Sequence, residues 1–151
     1  MFEFSKINEY LYIGTTPEAE DYIRLKEEGI DLVINMRFWM NPHPKEPLDG
    51  LNFLWLRSFD NPILKIPMNN LIRGVHESQK IIRNGGKILS HCARGRHRSV
   101  AMGAAILISQ GYSIDESIAL IKNGRPIVDP EIFYIKERIV RFNELWSMGK
   151  V

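Results

Sequence analysis

Residues 87–109 have the sequence KILSHCARGRHRSVAMGAAILIS, in which a polar loop separates two apolar segments. The first segment, 87–91, is short and follows Gly85-Gly86, as is typical of a buried strand. The second, 99–109, is apolar on nearly every side, which predicts a helix buried over most of its surface. The sequence therefore predicts a strand, a loop that begins at Cys92, and a buried helix.

The polar loop combines the features of an anion-binding site with those of a nucleophile. Between a strand and a helix N-terminus, backbone N–H groups can converge on one anion, and nearby positive charge favours the thiolate form of a cysteine. Arg98, six positions after Cys92, can donate two parallel hydrogen bonds to a phosphoryl group, a geometry that Lys cannot copy. We interpret Cys92 as the nucleophile and Arg98 as the phosphate clamp; the alternative is a buried structural thiol. The predicted phosphate-binding residues are Ala93, Arg94, Gly95, Arg96, His97 and Arg98.

Length and charge bound the function classes. A chain of 151 residues with 44% hydrophobic content suffices for one core, so we expect a single domain over residues 1–151. Lysine and arginine number 20 against 18 acidic residues, and the net charge of +2 is too small to suggest bulk binding to nucleic acid or an anionic membrane. Any attraction for anions should therefore be local.

Cysteine usage and the N-terminus bear on the cellular compartment. The single cysteine excludes an internal disulfide and a cysteine-based zinc cage. Residues 1–10 contain no basic stretch leading into an apolar run, and no apolar run of about eighteen residues occurs. We expect a cytoplasmic monomer that needs no metal or cofactor and has no membrane partner.

The remaining elements predict the fold class. Strands are expected at 6–14 (as a hairpin-like pair), 30–35, 51–56 and 87–91. Helices are expected from a Thr16-Pro17 start to a stop at Gly29, and at 69–83, 99–109, 114–122 and 131–146. This order predicts an α/β sandwich in one domain, with a central, mostly parallel sheet of four to five strands and helices on both faces.

The pattern His-Cys, five residues, Arg-Ser at 91–99 resembles the signature of the cysteine-based protein tyrosine phosphatases. Rhodanese-type sulfurtransferases usually have a loop one residue shorter, and low-molecular-weight phosphatases carry theirs near the N-terminus. The match is to the compact dual-specificity branch, whose opening strands are similar to residues 7–14 and 29–35. The resemblance covers most of the chain and implies a dual-specificity-phosphatase-like catalytic domain.

The resemblance also implies roles for residues near the loop. Asp60 corresponds to the aspartate that protonates the leaving oxygen and then activates water, and Asp49 is its nearest rival. Such an acid is needed because a phosphotyrosyl or phosphoseryl oxygen leaves poorly as an anion; otherwise Asp60 is a solvated carboxylate that caps a turn. Ser99 corresponds to a hydroxyl that hydrogen-bonds the cysteine sulfur, and His91 to a histidine that supports the loop.

Three residues of the loop keep two interpretations. Arg94 and Arg96 depart from the small or neutral residues common in the family, and they form either a solvated face or an electropositive rim that favours acidic substrates. His97 is either a contact at that rim or a tolerated variation.

Two further groups also stay open. Phe38, Trp39 and Met40 either wall the pocket or pin their proline-containing loop to the core. Asp129 and Glu131 either position water or simply begin a helix.

The function expected from these features is hydrolysis of phosphotyrosine, and of phosphoserine and phosphothreonine, in phosphorylated protein partners. The compact chain lacks room for the tyrosine-recognition loop of the longer tyrosine-specific relatives, which implies a shallower cleft. Phosphoinositide or RNA 5′-phosphate hydrolysis is the alternative that Arg94 and Arg96 suggest. A non-catalytic phosphopeptide-binding module is a third, but it would need neither a nucleophile nor a proton donor.

Overall fold

The computed structural model describes residues 1–39 and 48–151, so Met40 and His43 lie outside the described residues. Its strands are β1 (Phe4–Lys6), β2 (Leu11–Gly14), β3 (Ile30–Arg37), β4 (Asn52–Ser58) and β5 (Lys87–His91). Its helices are α1 (Asp21–Glu27), α2 (Met68–Arg83), α3 (Arg98–Ser109), α4 (Ile114–Gly124) and α5 (Phe133–Ser147).

The five strands form one sheet in the order β1-β2-β5-β3-β4. Only β1 runs antiparallel, paired with β2, and the other neighbours are parallel. The carboxyl ends of β3, β4 and β5 therefore meet at one edge of the sheet, where open α/β sheets bind their ligands. The loop that begins at Cys92 and the loop that carries Asp60 both start at this edge.

Alternation along the central strands separates two apolar layers. Leu32 and Ile34 of β3 belong to the larger cluster with α2, α3, α4 and α5, whereas Val33 packs with Tyr22 and Leu25 of α1 on the opposite face. Successive strand residues point to opposite faces, which explains why the middle of the strand, Leu32 to Ile34, is apolar at every position. The predicted class, a mostly parallel sheet with helices on both faces, is confirmed.

Helix α3 is the central element of the larger layer. Every residue from 99 to 108 is buried, as its uniformly apolar sequence predicts. A Cβ at Gly103 would lie 2.8 Å from Ile13 Cδ1, so the small residue allows the helix to approach β2 closely. This packing fixes the N-terminus of α3 beside the end of β5.

The predicted start of α1 is wrong. The helix begins at Asp21, because Asp21 Oδ2 accepts a hydrogen bond from the Glu18 backbone N–H at 2.9 Å and its own N–H donates to Glu18 O at 3.0 Å, which makes a turn. Thr16 is not a cap: its hydroxyl donates to Cys92 O at 3.3 Å and accepts from Arg37 Nη1 at 2.9 Å. The stop at Gly29 is confirmed by its φ of +91°.

Helix α5 also starts later than predicted, at Phe133 instead of Glu131. The preceding segment is tied to the loop of residues 92–98, which we call the phosphate loop. The Asp129 backbone N–H donates to Arg96 O in this loop at 3.1 Å. Asp129 therefore faces the loop as part of a connection and does not begin the helix.

Candidate active site

The loop from Cys92 to the first residue of α3 wraps around a sharp bend at Gly95, whose φ is +62°. A Cβ there would lie 2.7 Å from Gly14 O and 2.8 Å from Arg125 Nη2, so there is no space for a side chain. The left-handed backbone and the lack of space both require glycine.

Arg125 holds this bend from inside the fold. The side chain is buried, its Nε donates to Gly95 O at 2.8 Å, and its Nη2 donates to Arg94 O at 3.1 Å. Burial lowers the pKa of Arg125, while the charges of Glu3 and Cys92 oppose that effect. The sequence interpretation missed this residue, treating it only as part of a break between helices.

Cys92 is 2% exposed and lies at the base of the loop. Its Sγ is 3.2 Å from Ser99 Oγ. Burial raises the pKa of the Cys92 thiol, but the hydroxyl and backbone N–H of Ser99, the charge of Arg98 and the Gly95 N–H together outweigh burial and lower it. The local environment therefore favours the thiolate, the nucleophilic form.

Arg98 connects the phosphate loop to β4. Its Nη1 donates to Ser58 O at 2.9 Å, while its Nε is buried without a hydrogen-bond partner among residues 1–39 and 48–151. An unsatisfied donor on a buried guanidinium is costly, and an oxygen of a bound phosphoryl group would supply the acceptor.

The loop encloses a cavity of about 280 Å³. Its lining contains three arginines and one carboxylate and is formed by Asp60, Cys92, Ala93, Arg94, Arg96, His97 and Arg98. Arg94 is exposed, whereas Arg96 donates from Nε to Ile127 O at 2.9 Å and is thereby held at the rim. The cavity thus unites the predicted nucleophile, clamp and acid.

Asp60 stands at this cavity with both carboxylate oxygens engaged. Oδ2 is 2.8 Å from His97 Nδ1, and Oδ1 accepts from the Tyr134 hydroxyl at 2.7 Å. Burial raises the pKa of Asp60, but these hydrogen bonds and the charges of His97 and Arg98 outweigh it and hold the pKa below its ordinary value. Asp49, the rival, is exposed in the turn before β4, at the other end of that strand.

An aromatic cluster borders the acid loop. The ring of Phe38 stacks on Phe59, next to Asp60, with centroids 3.9 Å apart, and the Arg57 guanidinium lies 4.4 Å from the Phe38 centroid. Trp39 is 76% exposed and meets Phe59 at 6.1 Å. Phe38 and Trp39 therefore contact the acid loop, and Trp39 leaves an apolar surface beside the site.

The sequence singles out three further positions near the loop: His91 as a supporting residue, and Asp129 and Glu131 with two interpretations each. His91 is fully buried at the end of β5, in register with Gly14 and Asn35 of the neighbouring strands. Asp129 reaches the site, because its Oδ2 is 3.8 Å from His97 Nε2. Glu131 is instead paired with Lys136 at 3.2 Å on the surface.

Within the described ranges, no three His, Cys, Asp or Glu side chains are grouped as metal ligands. Nor does any helix there have the length and apolar character needed to cross a bilayer.

Comparison with known proteins identifies the family. The chain is 30% identical over 138 residues to the candidate tyrosine phosphatase 123R of Invertebrate iridescent virus 6, a match that spans 89% of each protein. The chain belongs to the protein tyrosine phosphatase family. It is also 29% identical over 130 residues to the dual specificity phosphatase 28 of Mus musculus, covering 85% of this chain and 77% of that protein. No family model matches the sequence.

Solved structures share the fold of this phosphatase. A mouse protein described as a candidate dual specificity phosphatase, complexed with zinc tungstate, superposes with a TM-score of 0.85 at 26% identity and covers 97% of this chain and 91% of that one. PTPMT1 in complex with PI(5)P superposes with a TM-score of 0.83 over 99% of both chains, but at 23% identity it shows the fold alone.

Proposed function

We propose that this phosphatase hydrolyses phosphotyrosine, and phosphoserine and phosphothreonine, in proteins through a phosphocysteine intermediate. The observation that carries the proposal is the shared cavity of Cys92, Arg98 and Asp60, in which a thiol of lowered pKa lies beside a free guanidinium donor. A nucleophile, a clamp and a proton donor are the groups that the reaction requires.

In the first step, Cys92 Sγ attacks phosphorus and the bond to the leaving oxygen breaks. The negative charge of the equatorial oxygens is stabilised by Arg98 and by loop N–H groups, which are organised before the substrate arrives. The protonated form of Asp60 gives its proton to the leaving oxygen, which would otherwise depart as a poorly stabilised anion.

In the second step, water attacks the phosphocysteine and Asp60 accepts a proton from it. The sulfur leaves as a thiolate. Ser99 Oγ, 3.2 Å from Sγ, can donate to the departing sulfur and lower the barrier to its release. Phosphate is released and the enzyme returns to its initial protonation state.

The size of the site is compatible with a phosphorylated protein side chain. A cavity of about 280 Å³ is smaller than the pockets that enclose drug-sized ligands, so it suits a phosphoryl group with part of its side chain. Because Ser99 and Asp60 would serve turnover and not binding, a purely phosphopeptide-binding module is the less favoured candidate. We also propose a cytoplasmic location, since a working thiolate requires a reducing compartment. We further propose that the protein is a monomer.

The proposal is tested with para-nitrophenyl phosphate across pH without added metal, using native protein, Cys92→Ser and Asp60→Asn. We expect clear turnover by the native protein and none by Cys92→Ser. Asp60→Asn should lose the basic limb of the pH profile, where the rate falls as the acid loses its proton. A folded but inert native protein, or a Cys92→Ser variant that keeps its rate, would contradict the enzyme and favour the binding module.

The substrate class needs a separate comparison. Initial rates on a phosphotyrosyl peptide, a phosphoseryl peptide, phosphoinositide in micelles and 5′-triphosphorylated RNA are measured under one set of conditions. Higher kcat/KM on either peptide supports the proposal, whereas higher values on the lipid or the RNA would replace protein by that class. The Arg94→Ala variant shows whether the exposed arginine contributes to the preference.

A further inference from the structure

The side chain of His97 connects the phosphate loop to the loop that carries the proposed acid. Its Nδ1 lies 2.8 Å from Asp60 Oδ2 and its Nε2 lies 3.8 Å from Asp129 Oδ2. The ring therefore stands between two carboxylates, one from the loop after β4 and one from the connection between α4 and α5. Only 20% of the His97 side chain is exposed, so the contact is partly shielded from water.

The groups around Asp60 come from several elements. Tyr134, in the first turn of α5, donates to Oδ1 at 2.7 Å, and Arg98, at the start of α3, adds positive charge. Asp129, on the far side of the His97 ring, is the nearby negative charge. His97 is the member of this set that contacts the Asp60 carboxylate directly from the phosphate loop.

This link has a geometric consequence. A proton donor must lie within hydrogen-bond reach of the leaving oxygen, and a misplacement of about 1 Å can cost about 10²-fold in rate. Asp60 belongs to a surface loop, whereas phosphorus would be held by the loop at the N-terminus of buried α3. A hydrogen bond from that second loop ties the acid to the element that holds the substrate.

The link also has an electrostatic consequence. Hydrogen bonds to the ionised form of a carboxyl group favour that form, so the proton is released at lower pH. The hydrogen bond from His97 acts on Asp60 in this direction, against the effect of burial on the Asp60 pKa.

We propose, resting on the phosphatase function above, that His97 is a positioning residue that fixes Asp60 at the cavity of Cys92 through the hydrogen bond between Nδ1 and Asp60 Oδ2. The proton balance of the reaction is unchanged. Asp60 gives its proton to the leaving oxygen and takes one from water in the second step, while His97 Nδ1–H donates to the carboxylate in between.

The decisive measurement is the titration of the Asp60 carboxyl carbon by NMR in substrate-free protein. In His97→Ala the pKa of Asp60 is expected to rise, because a hydrogen bond and a charge that favour the carboxylate are lost. In His97→Asn the rise is smaller, because the amide N–H can replace Nδ1–H without the charge. The control is His76→Ala, an exposed histidine on α2, which should leave the Asp60 titration unchanged.

Turnover then tests positioning. Phenyl phosphate depends strongly on the acid, and para-nitrophenyl phosphate depends on it less because its leaving group is stable as an anion. At a pH low enough for Asp60 to be protonated in both proteins, kcat/KM of His97→Ala for phenyl phosphate should fall about ten- to a hundredfold relative to para-nitrophenyl phosphate. His97→Asn should restore most of that ratio. In His97→Ala, the basic limb of the pH–rate profile, which Asp60→Asn removes, should move to higher pH.

Two results would overturn the proposal. One is an Asp60 titration in His97→Ala that matches the native protein; the other is an equal loss on both substrates, which would mean that His97 only maintains the loop. If His97→Ala does not fold, the Asp60 titration in His97→Asn decides: a smaller rise of the Asp60 pKa supports the proposal, and a native titration overturns it. An inert native protein overturns the phosphatase function and the acid role of Asp60 together, whereas an unchanged Asp60 pKa in an active protein overturns only the part assigned to His97.

Discussion

Arg125 Nε donates a hydrogen bond to Gly95 O at 2.8 Å, so a buried guanidinium from the end of α4 holds the bend of the phosphate loop. Its Nη2 holds Arg94 O as well, at 3.1 Å. The loop therefore depends for its shape on a residue thirty positions further along the chain.

Replacing Arg125 should cost both stability and activity. In Arg125→Met, two carbonyl oxygens lose their donor, and a buried unsatisfied group costs about 1–3 kcal/mol of unfolding free energy. Urea unfolding measures that cost, and para-nitrophenyl phosphate turnover measures the effect on the loop. Arg73→Met, an exposed position on α2, is the matched control. Native kcat/KM in Arg125→Met would contradict a supporting role.

Gly95→Ala should be more damaging than Gly85→Ala. Both positions have positive φ, +62° and +76°, so both substitutions carry a backbone strain of roughly 1–2 kcal/mol. Only at Gly95 would the new Cβ also meet backbone, at 2.7 Å from Gly14 O, whereas nothing lies within 4 Å at Gly85. We expect the unfolding free energy to fall more in Gly95→Ala than in Gly85→Ala. Turnover should be lost only in Gly95→Ala. Equal effects of the two substitutions would show that the phosphate loop can shift to accommodate a Cβ at residue 95.

Ser99→Ala should raise the pKa of the Cys92 thiol. The Ser99 hydroxyl, 3.2 Å from Sγ, favours the ionised sulfur. Without that hydroxyl the Cys92 pKa rises, so less thiolate is present at any given pH below the Cys92 pKa. The rate of alkylation by iodoacetamide against pH should shift to higher pH. Mass spectrometry of the enzyme mixed with substrate should show more phosphocysteine, because its breakdown slows. Ser109→Ala, at the other end of α3, should do neither.

Tyr134→Phe should raise the pKa of Asp60. The Tyr134 hydroxyl donates to Oδ1 at 2.7 Å and favours the carboxylate, so without it Asp60 stays protonated to higher pH. The limb of the pH-rate profile that Asp60→Asn removes should move in the same direction. Tyr112→Phe, on the connection between α3 and α4, is the control. An unmoved limb in Tyr134→Phe would mean that this bond is absent in solution.

The phosphate loop could be predicted because its parts are contiguous. A strand, a tight bend and a buried helix place Cys92, Gly95, Arg98 and Ser99 within one short segment, so local geometry brings them together. Asp60 was proposed from the family resemblance, and it lies beside the loop because parallel strands end at the same edge of a sheet. Element boundaries were less certain at α1 and α5, where side chain-to-backbone or loop-to-loop hydrogen bonds delayed the helix starts.

The sequence by itself led to the proposed nucleophile Cys92, its loop and the proposed clamp Arg98, because these lie close together along the chain. The order of strands and helices along the chain predicted the α/β class. Only the tertiary structure decided that Arg125 supports the loop and that His97 and Tyr134 hold Asp60. These contacts join residues that are 30, 37 and 74 positions apart. No local pattern encodes such pairs, since they form only when packing of the helices against the sheet brings their loops to one edge.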